Sequence, residues 1–187
     1  DFPAHVKYSG LNDTRGGGRF SGRITAGFVM AGSIARAVLS SIGADVFAYT
    51  TAIGGVHAAL CEPSTARVRC HANSLSCCDE GAALRMAQVI EEARAAGDSV
   101  GGIIECVATG LAVGLGEPVF ATADGEIARA LFAVPAVKGV EFGAGFRLAD
   151  MKGSEANDPF VIREGEVRTT KNDMGGVLGG LTSGETM

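Results

Sequence analysis

The 187-residue sequence predicts an α/β (α+β) fold. Two observations carry that expectation. Apolar residues recur at helical spacing in three separate stretches. Runs rich in Val, Ile, Phe and Thr, of strand length, lie between them, with glycines at the joins. Helices and strands that alternate in this way form layers around a shared core. Hydrophobic residues make up 47% and charged residues 20% of the chain, enough to fill a core and too apolar for disorder. The length suits one domain over 1–187, or two closely joined halves.

Residues 1–22 read as an extended or irregular lead-in. From Arg23 to Ile42 the spacing of Ile24, Phe28, Ala31, Ala35, Val38 and Ile42 is helical. Phe28, Val29, Met30, Ile34 and Leu39 widen the stripe, so this helix is expected to be buried on most sides. Gly43 is its C′ stop. Asp45–Ile53 reads as a strand. Residues 54–78 carry no clear assignment. Asp79 and Glu80 sit at the favourable positive end of a second helix. Its apolar face is read as Leu84, Ala87, Ile90 and Ala93, and Gly97 ends it. Val100–Thr109 is a strand with a buried face, and 114–118 is a turn. A third helix is expected over 125–134 and a strand near 137–142. From Met151 to Met187 the chain is polar and glycine-rich, and this tail is expected to be mobile unless a ligand or neighbouring chain orders it. Ile34-Ala35-Arg36-Ala37-Val38 and Ile127-Ala128-Arg129-Ala130-Leu131 are nearly the same string, each followed by a Val-rich run. Two readings stand: a duplicated helix–strand unit, or chance likeness of two Ala-rich helices.

Composition excludes several classes. The net charge is −5 and aromatics are 6%, with no Trp. A broad nucleic-acid surface is basic, and base-stacking modules need more aromatics, so no nucleic-acid partner is expected. The 28 glycines are dispersed, at about twice the average usage of ~7%, which implies tight turns rather than collagen. Five cysteines form no short-spaced disulfide framework, and a reduced, cytoplasmic setting fits. There is no uninterrupted apolar run of membrane-spanning length and no leader pattern, so no membrane partner is expected. The chain opens at Asp1 rather than Met, which suggests a piece of a longer polypeptide.

The segment Arg15-Gly16-Gly17-Gly18-Arg19-Phe20-Ser21-Gly22-Arg23 holds the strongest chemistry. Glycines permit left-handed backbone and close ligand approach. A helix starting just after them offers unpaired N–H groups and the positive dipole end. Arginines add planar forks for phosphate or carboxylate. No Gly-Lys-Ser/Thr follows, so this is no P-loop, and Gly-x-Gly-x-x-Gly does not open a βα turn here. An oxyanion site is one reading; a surface turn with solvated arginines is the other. Cys70, His71, Cys77 and Cys78 have zinc-ligand types without the usual spacing, and soft part-buried cysteines are the favoured reading. No metal is assigned. His5, His57 and His71 are the only histidines. None is assigned to catalysis. Ser154–Pro159 reads as an Asx-type turn before a short strand.

Ordered strings make the resemblance specific. They are Lys7-Tyr8 with Asn12-Asp13, the loop from Arg15 to Arg23, Gly97–Gly102, Ala108–Phe120, Pro135–Glu141, Gly153–Asp158 and Gly175–Gly180. Over essentially its whole length the chain resembles chorismate synthase. The resemblance implies a βαβ sandwich of long strands flanked by helices. It implies conversion of 5-enolpyruvylshikimate-3-phosphate to chorismate and phosphate by an anti 1,4-elimination, in the shikimate pathway of aromatic amino-acid biosynthesis. It also implies reduced FMN as cofactor and a homotetramer. In the family the flavin lends electron density as phosphate leaves, and arginines neutralise the substrate's anionic groups. Family members differ in reducing the flavin themselves, which brings in NADP, and nothing here resembles a reductase domain.

Carried over by position, Arg23 is implied as a substrate-binding arginine. Arg19, Phe20 and Ser21 match a flavin-contacting segment, as do Pro135 with Ala136, and Gly179. Pro135 stands where an Asn is frequent, Phe20 replaces a Ser found in some members, and Gly22 replaces a common Ala. The family's Gly-Glu-Ser-His-Gly segment has no counterpart here, and Asp1 aligns with the Asp of a Gly-His-Ala-Asp string. The C-terminal flavin loop also has no counterpart. The expectation is therefore an internal portion of such an enzyme that is inactive alone. A non-catalytic anion- or flavin-binding module is the alternative.

Overall fold

The computed structural model describes residues 2–187, and the alignment of Asp1 with a family motif lies outside the described residues. The chain divides into two compact units. One holds the residues up to Gly43 together with Leu111–Glu185, and the other is Ala44–Gly110.

The lead-in is not extended. It opens with a short helix, α1 (Phe2–Lys7), that buries Ala4. Pro3 is tolerated because first-turn N–H groups need no intrahelical partner. The helix closes where the Gly10 N–H donates to His5 O at 2.9 Å, with Gly10 at φ 76°. After two 3-10 turns, Gly18–Phe20 and Gly22–Ile24, comes α2 (Thr25–Ser41). Gly43 at φ 84° follows its end, as the sequence reading expects. The expected burial of α2 is not found: none of its residues is buried, and Ile34 is 72% and Val38 61% exposed. Helical spacing identified the element, but a spread of apolar residues says nothing about which neighbour covers it. Gly22–Ser41 is also long and apolar enough to cross a membrane by length and composition. Interrupting Gly, Ser and Arg residues hide that property from a search for an unbroken apolar run.

The second unit contains the principal sheet. β1 (Asp45–Ile53) pairs antiparallel with the short β2 (Val56–His57). Helices α3 (Pro63–Arg69) and α4 (Glu80–Ala95) follow, and β3 (Gly102–Thr109) completes the order β2-β1-β3. The register of β1 with β3 shifts between Thr50 and Ala52, and the hydroxyl of Thr51 donates to Ile103 O at 3.2 Å. One apolar cluster joins Tyr49, Ala66, Cys70, Cys78 and Val107. Burial, helped by Glu105, pushes the Tyr49 phenol well up. A second cluster joins Cys77, Ala82, Ala83 and Met86 with Ile53, Val56, Ala58 and Leu75. The buried face of α4 is therefore Ala82, Ala83 and Met86, whereas Leu84 is 71% exposed and Ala87 is exposed too. Small alanines let the helix approach closely, and Met86, also buried, completes the face. Asp79 caps α4, its carboxylate accepting from Ala82 N at 2.9 Å and Ala59 N at 3.0 Å.

Back in the first unit, α5 (Ala123–Leu131) is capped by Thr122, with α6 (Gly153–Ala156) further on. Two hairpins follow: β4 (Phe160–Arg163) with β5 (Glu166–Thr169), and β6 (Val177–Leu178) with β7 (Leu181–Thr182). The strand expected near 137–142 is absent among the described residues. That stretch runs irregularly into a glycine contact, where Gly143 at φ 58° lies against the backbone of Gly175. The two similar Ile-Ala-Arg-Ala strings fall on α2 and α5, but only α2 leads into a strand, so the duplicated helix–strand unit is not found.

Candidate functional site

The glycine–arginine loop is built by three successive left-handed glycines, Gly16, Gly17 and Gly18, at φ 69°, 79° and 50°. A side chain at any of them would be strained. Ser21 then caps the second 3-10 turn by accepting from Arg23 N at 3.2 Å. These turns use some of the loop's own N–H groups. Phe20 N donates to Gly17 O, Ser21 N to Gly18 O, and Ile24 N to Ser21 O.

The three arginines differ. Arg15 is committed to Asp13, with Nε to Oδ1 at 3.0 Å and Nη2 to Oδ2 at 3.2 Å. That guanidinium holds the Asp13 carboxyl below the usual carboxylate range. Arg23 folds back so that its Nη2 donates to Gly16 O at 2.5 Å, which braces the loop and leaves further N–H donors on the fork. Arg19 stands exposed on the first 3-10 turn. Beside it Phe20, 51% exposed, meets Tyr8 edge-on at 6.3 Å between ring centroids. Lys7 Nζ lies 5.9 Å from the Tyr8 ring centre. A basic, partly aromatic surface of this kind suits an anionic, flat-ringed ligand.

The other assigned residues stand on separate turns of the same unit. Pro135 and Ala136 follow the last turn of α5, and both are exposed. Ala136 has φ 69°, an uncommon backbone for a residue with a side chain and one found at functional positions. Gly179 occupies the β6–β7 turn at φ 60°, with nothing within 4 Å of where a side chain would begin. Its neighbour Gly180 accepts from Ala123 N at 2.8 Å, which fastens this turn to the start of α5. The structure therefore gathers Arg19, Phe20, Ser21 and Arg23 in one loop, while Gly179 and the Pro135–Ala136 pair belong to the two ends of α5.

Three of the five cysteines pack as core residues. Cys70, Cys77 and Cys78 are buried, Cys61 is half-buried, and Cys106 is exposed. Burial, aided by the neighbouring Cys61, pushes the Cys78 thiol up to about 12. Among the described residues no group of three or more His, Cys, Asp or Glu side chains converges to hold a metal.

Two polar residues that the sequence reading left without a role organise the glycine turns. Thr182, 4% exposed, donates to Ala112 O at 2.6 Å and accepts from Leu115 N at 2.9 Å. Asp158, also 4% exposed, accepts from Asp173 N and Met174 N, both at 2.9 Å. The Asn157-Asp158-Pro159 string signalled a turn, but its long-range partners have no local signature.

Comparison with known proteins is consistent across three kinds of likeness. The chorismate synthase family model matches residues 1–187. Chorismate synthase of Dehalococcoides mccartyi strain BAV1 is 52% identical over 184 residues, covering 98% of this chain and 50% of that protein. Chorismate synthase of Thermococcus gammatolerans is 51% identical over 184 residues, covering 98% and 51%. A crystal structure of chorismate synthase superposes with a TM-score of 0.91 at 28% identity, covering 100% of this chain and 60% of that one. The chain spans about half the length of the curated relatives it matches.

Proposed function

The chain belongs to the chorismate synthase family, and we propose that its residues form the anion-binding and flavin-facing part of a carbon–oxygen lyase. The reaction proposed is loss of phosphate and a ring proton from 5-enolpyruvylshikimate-3-phosphate to give chorismate, in aromatic amino-acid biosynthesis. The observation that carries this reading is the glycine–arginine loop, found within a family match that covers the whole chain.

The chain's own residues fit a bound flavin mononucleotide. Gly179 leaves open space where a side chain would stand, so a ring can approach the backbone. Arg19 is exposed and supplies a fork for an anionic group. Ser21 and Phe20 border the same loop. Reduced flavin held by Arg19, Phe20, Ser21 and Gly179 would supply electron density for the elimination. Arg23 binds a phosphate or carboxylate of the substrate, and its bond to Gly16 O fixes the fork's direction beforehand. The C–O bond to phosphate breaks, the ring loses a proton, and a new C=C bond forms.

The 187 residues alone are proposed to be inactive, with turnover requiring further polypeptide of the length the relatives possess. The uncovered apolar faces of α2 support this, as surface for such additional chain or for partner subunits of a tetramer. The same cover accounts for the apolar character of Gly22–Ser41 without a membrane, and a cytoplasmic location is part of this reading.

Anaerobic incubation with substrate and reduced FMN tests it. The full-length enzyme is expected to release chorismate and phosphate, and Arg23→Ala in it to lose at least about a hundredfold in kcat/KM. Chorismate formed by the 187 residues alone would overturn the requirement for further polypeptide. A full-length enzyme that releases none would overturn the lyase assignment.

A further inference from the structure

We propose that Asp158 is a positioning residue for the flavin: its buried carboxylate shapes the turn over residues 172–180 that presents Gly179. The inference rests on the flavin reading of Gly179 given above. Asp158 makes no direct approach to that glycine and acts through the backbone between them.

The geometry is specific. The Asp158 side chain is 2% exposed. One carboxylate oxygen accepts from Asp173 N and the other from Met174 N, so both are committed to consecutive amides of one turn. A buried carboxylate needs a counter-charge, and Lys171 provides it, with Nζ 4.0 Å from Oδ1. The same ammonium donates to Glu155 O and Asp173 Oδ2, so it ties α6 to the turn. Asn172 Oδ1 accepts from Gly176 N at 2.8 Å. Asp173 O accepts from Ala144 N at 2.7 Å, and Gly143 and Gly175 pack backbone against backbone. Beyond this point the chain enters β6, turns at Gly179 and Gly180, and returns as β7. Gly176 O then accepts from Ser183 N at 2.9 Å, so the two ends of the hairpin are clasped at the place Asp158 organises.

Such an arrangement exceeds what a surface hairpin of two-residue strands requires. Short two-stranded ribbons are marginal alone. Here a fully buried charge fixes the direction in which the ribbon leaves the body. A ligand that contacts the turn backbone depends on that direction to within a fraction of an ångström.

Asp158→Asn is the test, in the full-length enzyme. It keeps the shape but places an NH₂ against one of two amide donors and removes one of the two carboxylate charges beside Lys171, leaving that of Asp173. Three quantities are measured: FMN dissociation constant, visible circular dichroism of the bound flavin, and amide exchange over 173–180. Expected are a dissociation constant raised roughly tenfold or more, an altered flavin signal at saturation, and faster exchange confined to the turn. Protection in β1 and β3 is expected to persist. Asn172→Ala, which removes the side chain that accepts from Gly176 N while leaving the Asp158 carboxylate in place, is expected to shift the same quantities less, and serves if Asp158→Asn does not fold. Unchanged flavin affinity and spectrum in both variants would overturn the positioning role. A wild-type enzyme that binds no flavin would instead overturn the flavin reading itself, whatever the exchange data show.

Discussion

The two units are stabilised by different chemistry. Between Ala44 and Gly110, burial falls mainly on apolar side chains: Tyr49, Ala52, Ala66, Cys70, Cys77, Ala82, Met86 and Val107 are all under 5% exposed, beside the polar Thr50. In the other unit few apolar residues are buried, among them Ala4, Ala144 and Val177, beside the polar Asp158, Thr169 and Thr182. Its turns are held by side chain–backbone bonds and by glycines whose backbones touch. Apolar burial is tolerant of small shifts, because dispersion and hydration are not directional. Hydrogen bonds to a turn fix direction as well as distance. The polar unit also carries every residue assigned to ligand binding. Scaffold stability and ligand geometry are thus assigned to different parts of the chain.

Met86→Ala is expected to show the contrast most strongly. Met86 has no solvent exposure and packs with Cys77, Ala82 and Ala83. Its truncation is expected to cost about 2–5 kcal/mol, read as a lower urea midpoint at unchanged slope. A loss under about 1 kcal/mol would show that this cluster does not act as a core. Thr182→Val comes next. It keeps the shape but strands Ala112 O and Leu115 N. About 1–3 kcal/mol is expected, with restoration by Thr182→Ser, which keeps the hydroxyl. If valine proves neutral and serine does not, packing rather than hydrogen bonding holds that unit, and the contrast fails.

Much of the second unit was legible in the sequence because its signals are local. Asp45–Ile53 has strand composition, and Asp79 sits where a cap belongs, three residues before the amide it binds. The glycine stops at Gly43 and Gly97 are likewise chemical necessities of left-handed backbone. What failed was choice of face. Leu84 looked like core and Ala82 did not, because periodicity ranks residues by hydrophobicity, whereas the face that packs is Ala82, Ala83 and Met86. The α2 helix failed in the same way: its stripe is real, but none of its residues is buried in the structure. In the first unit the composition of the loop from Arg15 to Arg23 made its left-handed glycine turns legible, and the ligand role proposed for it rests on that composition. The division of labour among its arginines was not, because the Asp13–Arg15 fork and the Arg23–Gly16 bond depend on the turn's path. Asp158 and Asp173 are 15 residues apart, and no sequence spacing announces that pairing.

The smallest expected effects lie in the pH dependence, and they fall on the apolar unit. Asp79 accepts from Ala59 N and Ala82 N, and these bonds hold its carboxyl below the ordinary 3.8. Its stabilising contribution is therefore complete above pH 3.8 and is lost as pH falls through the still lower folded value. Cys78 works at the other limb. Burial, reinforced by Cys61, raises its thiol from the ordinary 9.0 to about 12. The folded chain keeps the neutral thiol while the unfolded chain ionises, so stability is full below pH 9 and declines from there to about pH 12. Urea midpoints measured from pH 3 to 11 are expected to form a plateau with two falling limbs. Asp79→Ala should lower the plateau and flatten the acid limb, because the charge and both bonds go together. Cys78→Ala should flatten the alkaline limb, leaving the decline due to Tyr49, whose phenol is raised in the same cluster. An alkaline limb unchanged by Cys78→Ala would mean that solvent reaches this thiol in the folded chain, and the apolar unit would then lack the dry core that separates it from its polar neighbour.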